Sequence, residues 1–195
     1  MRLFVALKIS REVRENLASL IRDLHTADSH PKWVNPDNLH VTLKFIGGVA
    51  PERVIEISDA LAVIRTQQQV IAEFRGIGFF PDARRPNVVW VGIQPSDFLS
   101  TLAAEVNRVL PIVAVPREEK AFVPHLTIAR FKETRLSAGL RDEIEKRKSR
   151  EFGTLAANEF HLIESKLKSS GAEYTTLRSF RFFAPEDSKG SRPCS

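Results

Sequence analysis

The sequence predicts an α+β protein built from two similar lobes, each a sheet with helices on one face. Segments with the two-residue period of strands alternate with segments of helical period along most of the 195 residues. The two halves resemble each other, each holding a helix, a strand with a histidine and a threonine two positions apart, and further strands. The composition, 43% hydrophobic and 27% charged, is that of an ordinary globular chain whose length suits one compact unit or two small lobes sharing a core boundary.

Taken in order, RLFVALKI reads as the first strand, with Leu3, Val5 and Leu7 alternating against Phe4 and Ala6. Ser10 caps a helix that carries Val13, Leu17, Leu20, Ile21 and Leu24 on one face. After the loop HTADSHP, a turn at Asn35-Pro36-Asp37 leads into NLHVTLKF, and Gly47-Gly48 ends that strand. Pro51 and Glu52 start a second helix through Val54, Ile57, Leu61 and Ile64. IAEFRGIGFF and NVVWVGI are strands joined by PDARRP, the second nearly all apolar as an interior strand requires. Asp97 begins a third helix through Leu99, Leu102, Val106 and Leu110, and a strand follows from about Phe122 to Phe131. SAGLRDEIEKRKS is a weaker helix anchored by Leu140 and Ile144. FHLIESKL and EYTTLRSFRFF are closing strands around a turn at Ser170-Gly171. Residues 1–185 form one bilobal unit in this reading, and the polar tail 186–195 is expected to be disordered.

No apolar run approaches a membrane span, and the N-terminal segment does not read as a signal peptide, so a cytoplasmic, monomeric protein is expected. Cys194 is the single cysteine, which removes disulfide frameworks and thiolate metal sites. The net charge of +5 favours anionic partners without naming one, because the basic residues are scattered among acids.

The chemistry concentrates in a pattern that occurs twice, His40-Val41-Thr42-Leu43 and His125-Leu126-Thr127-Ile128. On a strand, alternate side chains share a face, so each histidine lies beside its threonine while the aliphatic residues anchor the other face. One imidazole can be neutral while another is protonated near neutral pH, so the pair can activate a nucleophile and protonate a leaving oxygen. The threonine hydroxyls can hold phosphate oxygens, and Arg130 can grip phosphate bidentately. Arg130 has the parity of Leu126 and Ile128, however, and reaches the site only if the strand ends or bulges there. A metal site at His40 and His125 is disfavoured, since no thiolate or close second histidine accompanies either, and no cofactor motif is present. Phe4, Phe45 and Tyr174, with Trp33 and Trp90, are candidate surfaces for stacking a base. Phe79 and Phe80 beside PDARRP could form a cleft rim with Arg84 and Arg85, although an exposed hairpin loop is an equal reading. His25, His30 and His161 read as structural or surface residues.

At the paired motifs the chain resembles the two-histidine phosphoesterase superfamily, and more closely its RNA 2′,3′-cyclic phosphodiesterase branch, the LigT-like proteins formerly called 2′–5′ RNA ligases. The resemblance runs from Arg2 to about Phe183 and includes RLFVAL, WVNPDNLHVTLKFIG, VVWVG, FVPHLTIAR and ESKLKSSGAEYTTL. It implies two antiparallel sheets with helices on the outer faces, pseudo-two-fold symmetry and a central groove. It also implies metal-independent opening of a ribose 2′,3′-cyclic phosphate to a 2′-phosphomonoester. Carried over by motif, His40 and His125 would be the acid and base, Thr42 and Thr127 would hold the phosphate, and Arg130 would assist. His125 is expected to activate water and His40 to protonate the departing 3′-oxygen, with the reverse allowed by near-symmetry. The implied partners are RNA with 2′,3′-cyclic phosphate ends or small cyclic nucleotides. The alternatives are a non-catalytic RNA-end or nucleotide-binding module using the same groove, and reversal of the displacement as a ligase side activity.

Overall fold

The computed structural model describes residues 1–66, 69–94, 97–133, 135–169 and 171–182. Ser170 of the expected turn, Cys194 and the expected disordered tail lie outside them. The chain runs β1 (Arg2–Lys8), α1 (Arg11–Ala27), β2 (Lys32–Trp33), β3 (His40–Gly48), α2 (Arg53–Ala62), β4 (Val70–Phe80) and β5 (Val88–Gln94). It continues with α3 (Asp97–Val109), β6 (His125–Arg130), α4 (Ala138–Glu145), β7 (Glu151–Ala157), β8 (Glu159–Lys168) and β9 (Gly171–Arg181). One antiparallel sheet has the order β3-β1-β8-β9 and the other β2-β6-β5-β4-β7. Each sheet carries one motif strand, and β3 packs against β6. Among the described residues no helix is long and apolar enough to cross a membrane.

The core explains why these segments take these forms. The Ser10 hydroxyl accepts a hydrogen bond from the Val13 amide and caps α1, whose five expected apolar residues are all buried. They meet Leu3, Val5 and Leu7 of β1, Val41 and Leu43 of β3, and Leu126 and Ile128 of β6 in one continuous cluster. Burying each such side chain contributes about 1.5–3 kcal/mol. On the opposite face of β1, Phe4 and Ala6 form a small separate cluster with Ile163, against which Tyr174 packs. β1 is therefore buried on both sides, with one face on the main core and the other on the groove.

Three strands differ from the sequence reading. β6 starts at His125 rather than Phe122, because Pro124 has no amide to give the ladder. β7 carries no clean alternation in sequence: Gly153 has φ +110° and the pairing with β4 slips between Phe74 and Arg75, so Phe152, Leu155 and Ala157 are buried at unequal spacing. β2 is only two residues long, below what periodicity can reveal.

Lys44 is a buried cation on β3 whose Nζ donates to Asn107 Oδ1 on α3 at 2.8 Å. Asn107 also receives the Glu118 amide at 2.8 Å and donates to the Glu118 carbonyl at 2.9 Å. One amide side chain thus ties β3 to the loop that delivers His125. Asn107→Ala is expected to cost about 1–3 kcal/mol through these lost bonds and to speed amide exchange at Glu118, measured by denaturant titration and hydrogen exchange. Gly78 has a different role: a Cβ there would sit 2.2 Å from the Trp90 ring. Gly78→Ala should destabilise by about 1–3 kcal/mol by overpacking, seen as a lowered Tm.

Candidate active site

Strand alternation delivers the two motifs as expected. His40, Thr42, His125 and Thr127 are half-buried, while Val41, Leu43, Leu126 and Ile128 are buried in the main core. Just past each threonine the ladder then takes in an extra residue. Pairing steps from Ala6↔Thr42 to Val5↔Lys44 in one sheet, and from Trp90↔Thr127 to Val89↔Ala129 in the other. Burial along both strands reads half-buried, buried, half-buried, buried, buried, exposed. The bulge resets the parity, so Arg130 and its counterpart Phe45 turn back to the motif face. This resolves the parity obstacle to Arg130.

The two imidazoles are held alike. His40 Nδ1 lies 2.7 Å from the Asn38 carbonyl, and His125 Nδ1 lies 2.7 Å from the Val123 carbonyl. A carbonyl only accepts, so each Nδ1 carries the proton and each neutral ring presents Nε2 as a free acceptor. Asn38 is itself pinned, its Nδ2 donating to the Ala172 carbonyl of β9 at 2.7 Å. The ring planes are wedged by aromatic neighbours. Phe4 and Tyr174 lie 4.7 and 5.3 Å from the His40 ring, and Phe80 meets the His125 ring edge-on at 4.9 Å. Opposite His125 stands Gly92, where a Cβ would fall 2.6 Å from the Arg75 carbonyl oxygen.

Burial lowers both imidazoles below their ordinary 6.5, against the opposing pull of the backbone carbonyls. The Arg130 charge lowers both further, and His125 adds to the lowering of His40. The same arginine acts on Tyr174, whose phenol burial pushes upward. His40, His125, Arg130 and Tyr174 thus sit within one another's fields, brought together from β3, β6 and β9. Neither threonine hydroxyl nor the Arg130 guanidinium makes a hydrogen bond or ion pair with another group among the described residues.

A cavity of about 670 Å³ lies next to His40: neither histidine nor either threonine lines it, and it meets the site through Phe4, Asn38 and Tyr174, which contact His40, and through Arg130. Phe4, Phe45, Trp33 and Tyr174 line it with Arg2, Lys32 and Arg130, so the three expected stacking residues share one wall. Trp90 does not line the cavity: it pairs with Thr127 across the sheet and packs on Phe80 at 5.2 Å, with its indole Nε1 buried and unpartnered among the described residues. Of the expected cleft rim, Phe80 reaches the site, Phe79 packs on the core, and Arg84 and Arg85 stay in an exposed turn whose amides Asp82 accepts. His161 is a buried residue bonded to the Ser179 hydroxyl at 2.9 Å, as a structural role requires. Asn38 escaped sequence reasoning, since it acts through a backbone carbonyl and leaves no residue-type signal. Among the described residues no three His, Cys, Asp or Glu side chains cluster as a metal site would need.

The chain is similar to known proteins in both sequence and fold. The chain is 36% identical over 180 residues to an RNA 2′,3′-cyclic phosphodiesterase of Archaeoglobus fulgidus, covering 92% of this chain and 99% of that one. It is 34% identical to an RNA 2′,3′-cyclic phosphodiesterase of Aquifex aeolicus, covering 92% and 96%. Its fold superposes on a Thermus thermophilus crystal structure with a TM-score of 0.76 at 30% identity, covering 93% and 98%. It also superposes on E. coli LigT complexed with 3′-AMP, with a TM-score of 0.77 at 26% identity, covering 94% and 98%. The family model described as LigT like Phosphoesterase matches twice in tandem, over residues 7–90 and 91–174, one histidine motif in each. By its sequence, its duplicated halves and its fold, the chain belongs to the LigT-like phosphoesterase family.

Proposed function

We propose that this protein opens RNA 2′,3′-cyclic phosphates to 2′-phosphomonoesters, with two imidazoles as acid and base. The observation that carries the reading is the matched tautomer, which leaves two Nε2 atoms from two sheets free beside one arginine. The names of the relatives from Archaeoglobus and Aquifex, and the nucleotide in the LigT crystal, support it.

The aromatic wall orients the substrate. Phe4 and Tyr174 touch His40 and also line the cavity, so a ribose whose base stacks there puts its oxygens toward His40. In an in-line displacement the water enters opposite the departing oxygen, on the His125 side. His125 Nε2 takes the proton from water as its oxygen bonds to phosphorus. The bond from phosphorus to O3′ breaks, and protonated His40 gives its proton to O3′. Thr42, Thr127 and Arg130 donate to the phosphoryl oxygens as charge develops.

In the unliganded site burial and the Arg130 charge disfavour a proton on His40. The cyclic phosphate anion acts in the opposite sense, raising the imidazole beside it. A bell-shaped pH profile follows. The alkaline limb of kcat, which reports the bound complex, should lie at higher pH than that of kcat/KM. Coincident limbs would show that the anion does not recruit the proton. Because imidazoles move every proton, turnover should persist in chelator.

His40→Ala and His125→Ala are each expected to slow opening of a cyclic-phosphate-ended oligonucleotide by roughly 10²–10⁴-fold, with a 2′-phosphate end as the product. A substrate with sulfur in place of the bridging 3′-oxygen leaves without an acid. It should restore His40→Ala and leave His125→Ala slow. The reverse pattern would exchange the two roles, and wild-type rates in both variants would remove the histidines from catalysis.

A further inference from the structure

The groove holds more positive charge than one cyclic phosphate needs. Arg2, Lys32 and Arg130 line the same cavity, and no acidic residue lines it with them. None of the three forms an ion pair among the described residues. Lys32 and Arg130 stand directly opposite each other on β2 and β6. Like charges in that position repel, and an anion between or beside them relieves the repulsion. Arg130 is the cation whose charge bears on both histidines, which assigns it to the reacting phosphate. Arg2, on the other sheet, and Lys32 are left over, and they line the cavity together with Phe4, Trp33, Phe45 and Tyr174.

We propose that Arg2 and Lys32 hold the internucleotide phosphate on the 5′ side of the terminal nucleotide, so that RNA chain ends are preferred over free nucleoside cyclic phosphates. The proposal rests on the catalytic reading above. With the cyclic phosphate at the histidines and the terminal base on the aromatic wall, the 5′ oxygen leads the chain toward these two cations. Phe45, 65% exposed at the rim, offers its ring to a base arriving with that chain. Arg2 and Lys32 then determine specificity, and they do so through a group that takes no part in the displacement.

The test compares kcat/KM for a dinucleotide ending in a 2′,3′-cyclic phosphate with that for the matching nucleoside 2′,3′-cyclic phosphate. Wild type should prefer the dinucleotide by about tenfold or more, as expected for charge-assisted phosphate contacts. The Arg2→Gln/Lys32→Gln double variant should lose most of that ratio. A neutral methylphosphonate linkage in the dinucleotide should cost wild type the same factor, a readout independent of how the variant folds. The dinucleotide should also show the steeper salt dependence, by roughly 0.7 in log–log slope per phosphate charge neutralised on a single strand. Equal kcat/KM for both substrates in wild type, or indifference to the methylphosphonate, would overturn the proposal and leave the catalytic reading standing. Turnover of neither substrate by wild type would overturn both.

Discussion

Strand alternation, interrupted once, is the constraint on which the site depends. A regular β3 or β6 would put every second residue in the core and could offer the groove only a histidine and a threonine. The extra residue after Thr42 and after Thr127 brings a third side chain onto the same face and lengthens the apolar anchor behind it by one position. The residue that each ladder passes over is buried, Leu43 in one strand and Ile128 in the other, and so is the next one, Lys44 or Ala129. The same irregularity in both sheets gives the groove its three-residue rows.

The two rows match in histidine and threonine and differ in the third residue. Phe45 stands where its counterpart strand has Arg130, so one side presents an aromatic face and the other a cation. A symmetric site could bind a phosphate in two orientations with equal ease. Here the two strands are chemically unlike at that position, and the difference gives the groove a direction. Lys44 and Ala129 differ for a related reason: the cation on β3 reaches α3 and Asn107, whereas β6 lies inside its sheet and has room only for a methyl.

Much of this was legible in the sequence because it follows from short-range periodicity. His40, Thr42, His125 and Thr127 could be placed on one face from spacing alone, and Ser10 could be named as a cap from its place before an apolar helical stripe. The parity of Arg130 showed that a bulge was needed but not that one existed, since bulges are set by the partner strand. Asn107 looks like any polar residue on the outer face of a helix, and its ties to Lys44 and Glu118 span 63 and 11 positions. β7 hid because Gly153 breaks its alternation, and Phe80 gained its place at His125 from β4, across the intervening β5. Apart from Asn38, which acts locally through its backbone carbonyl, and the two-residue β2, what stayed hidden was a matter of pairing between segments.

The continuous core beneath the groove has one further consequence. Leu7, Val41, Leu126 and Ile128, directly behind the motif residues, all belong to a single packed cluster. Such interiors resist compression and do not hinge. The span between the reactive nitrogens is therefore a property of the folded interior and is set before any substrate arrives. On the proposed reading the groove works as a fixed gauge for a five-membered phosphate ring, its width set by the packing beneath it.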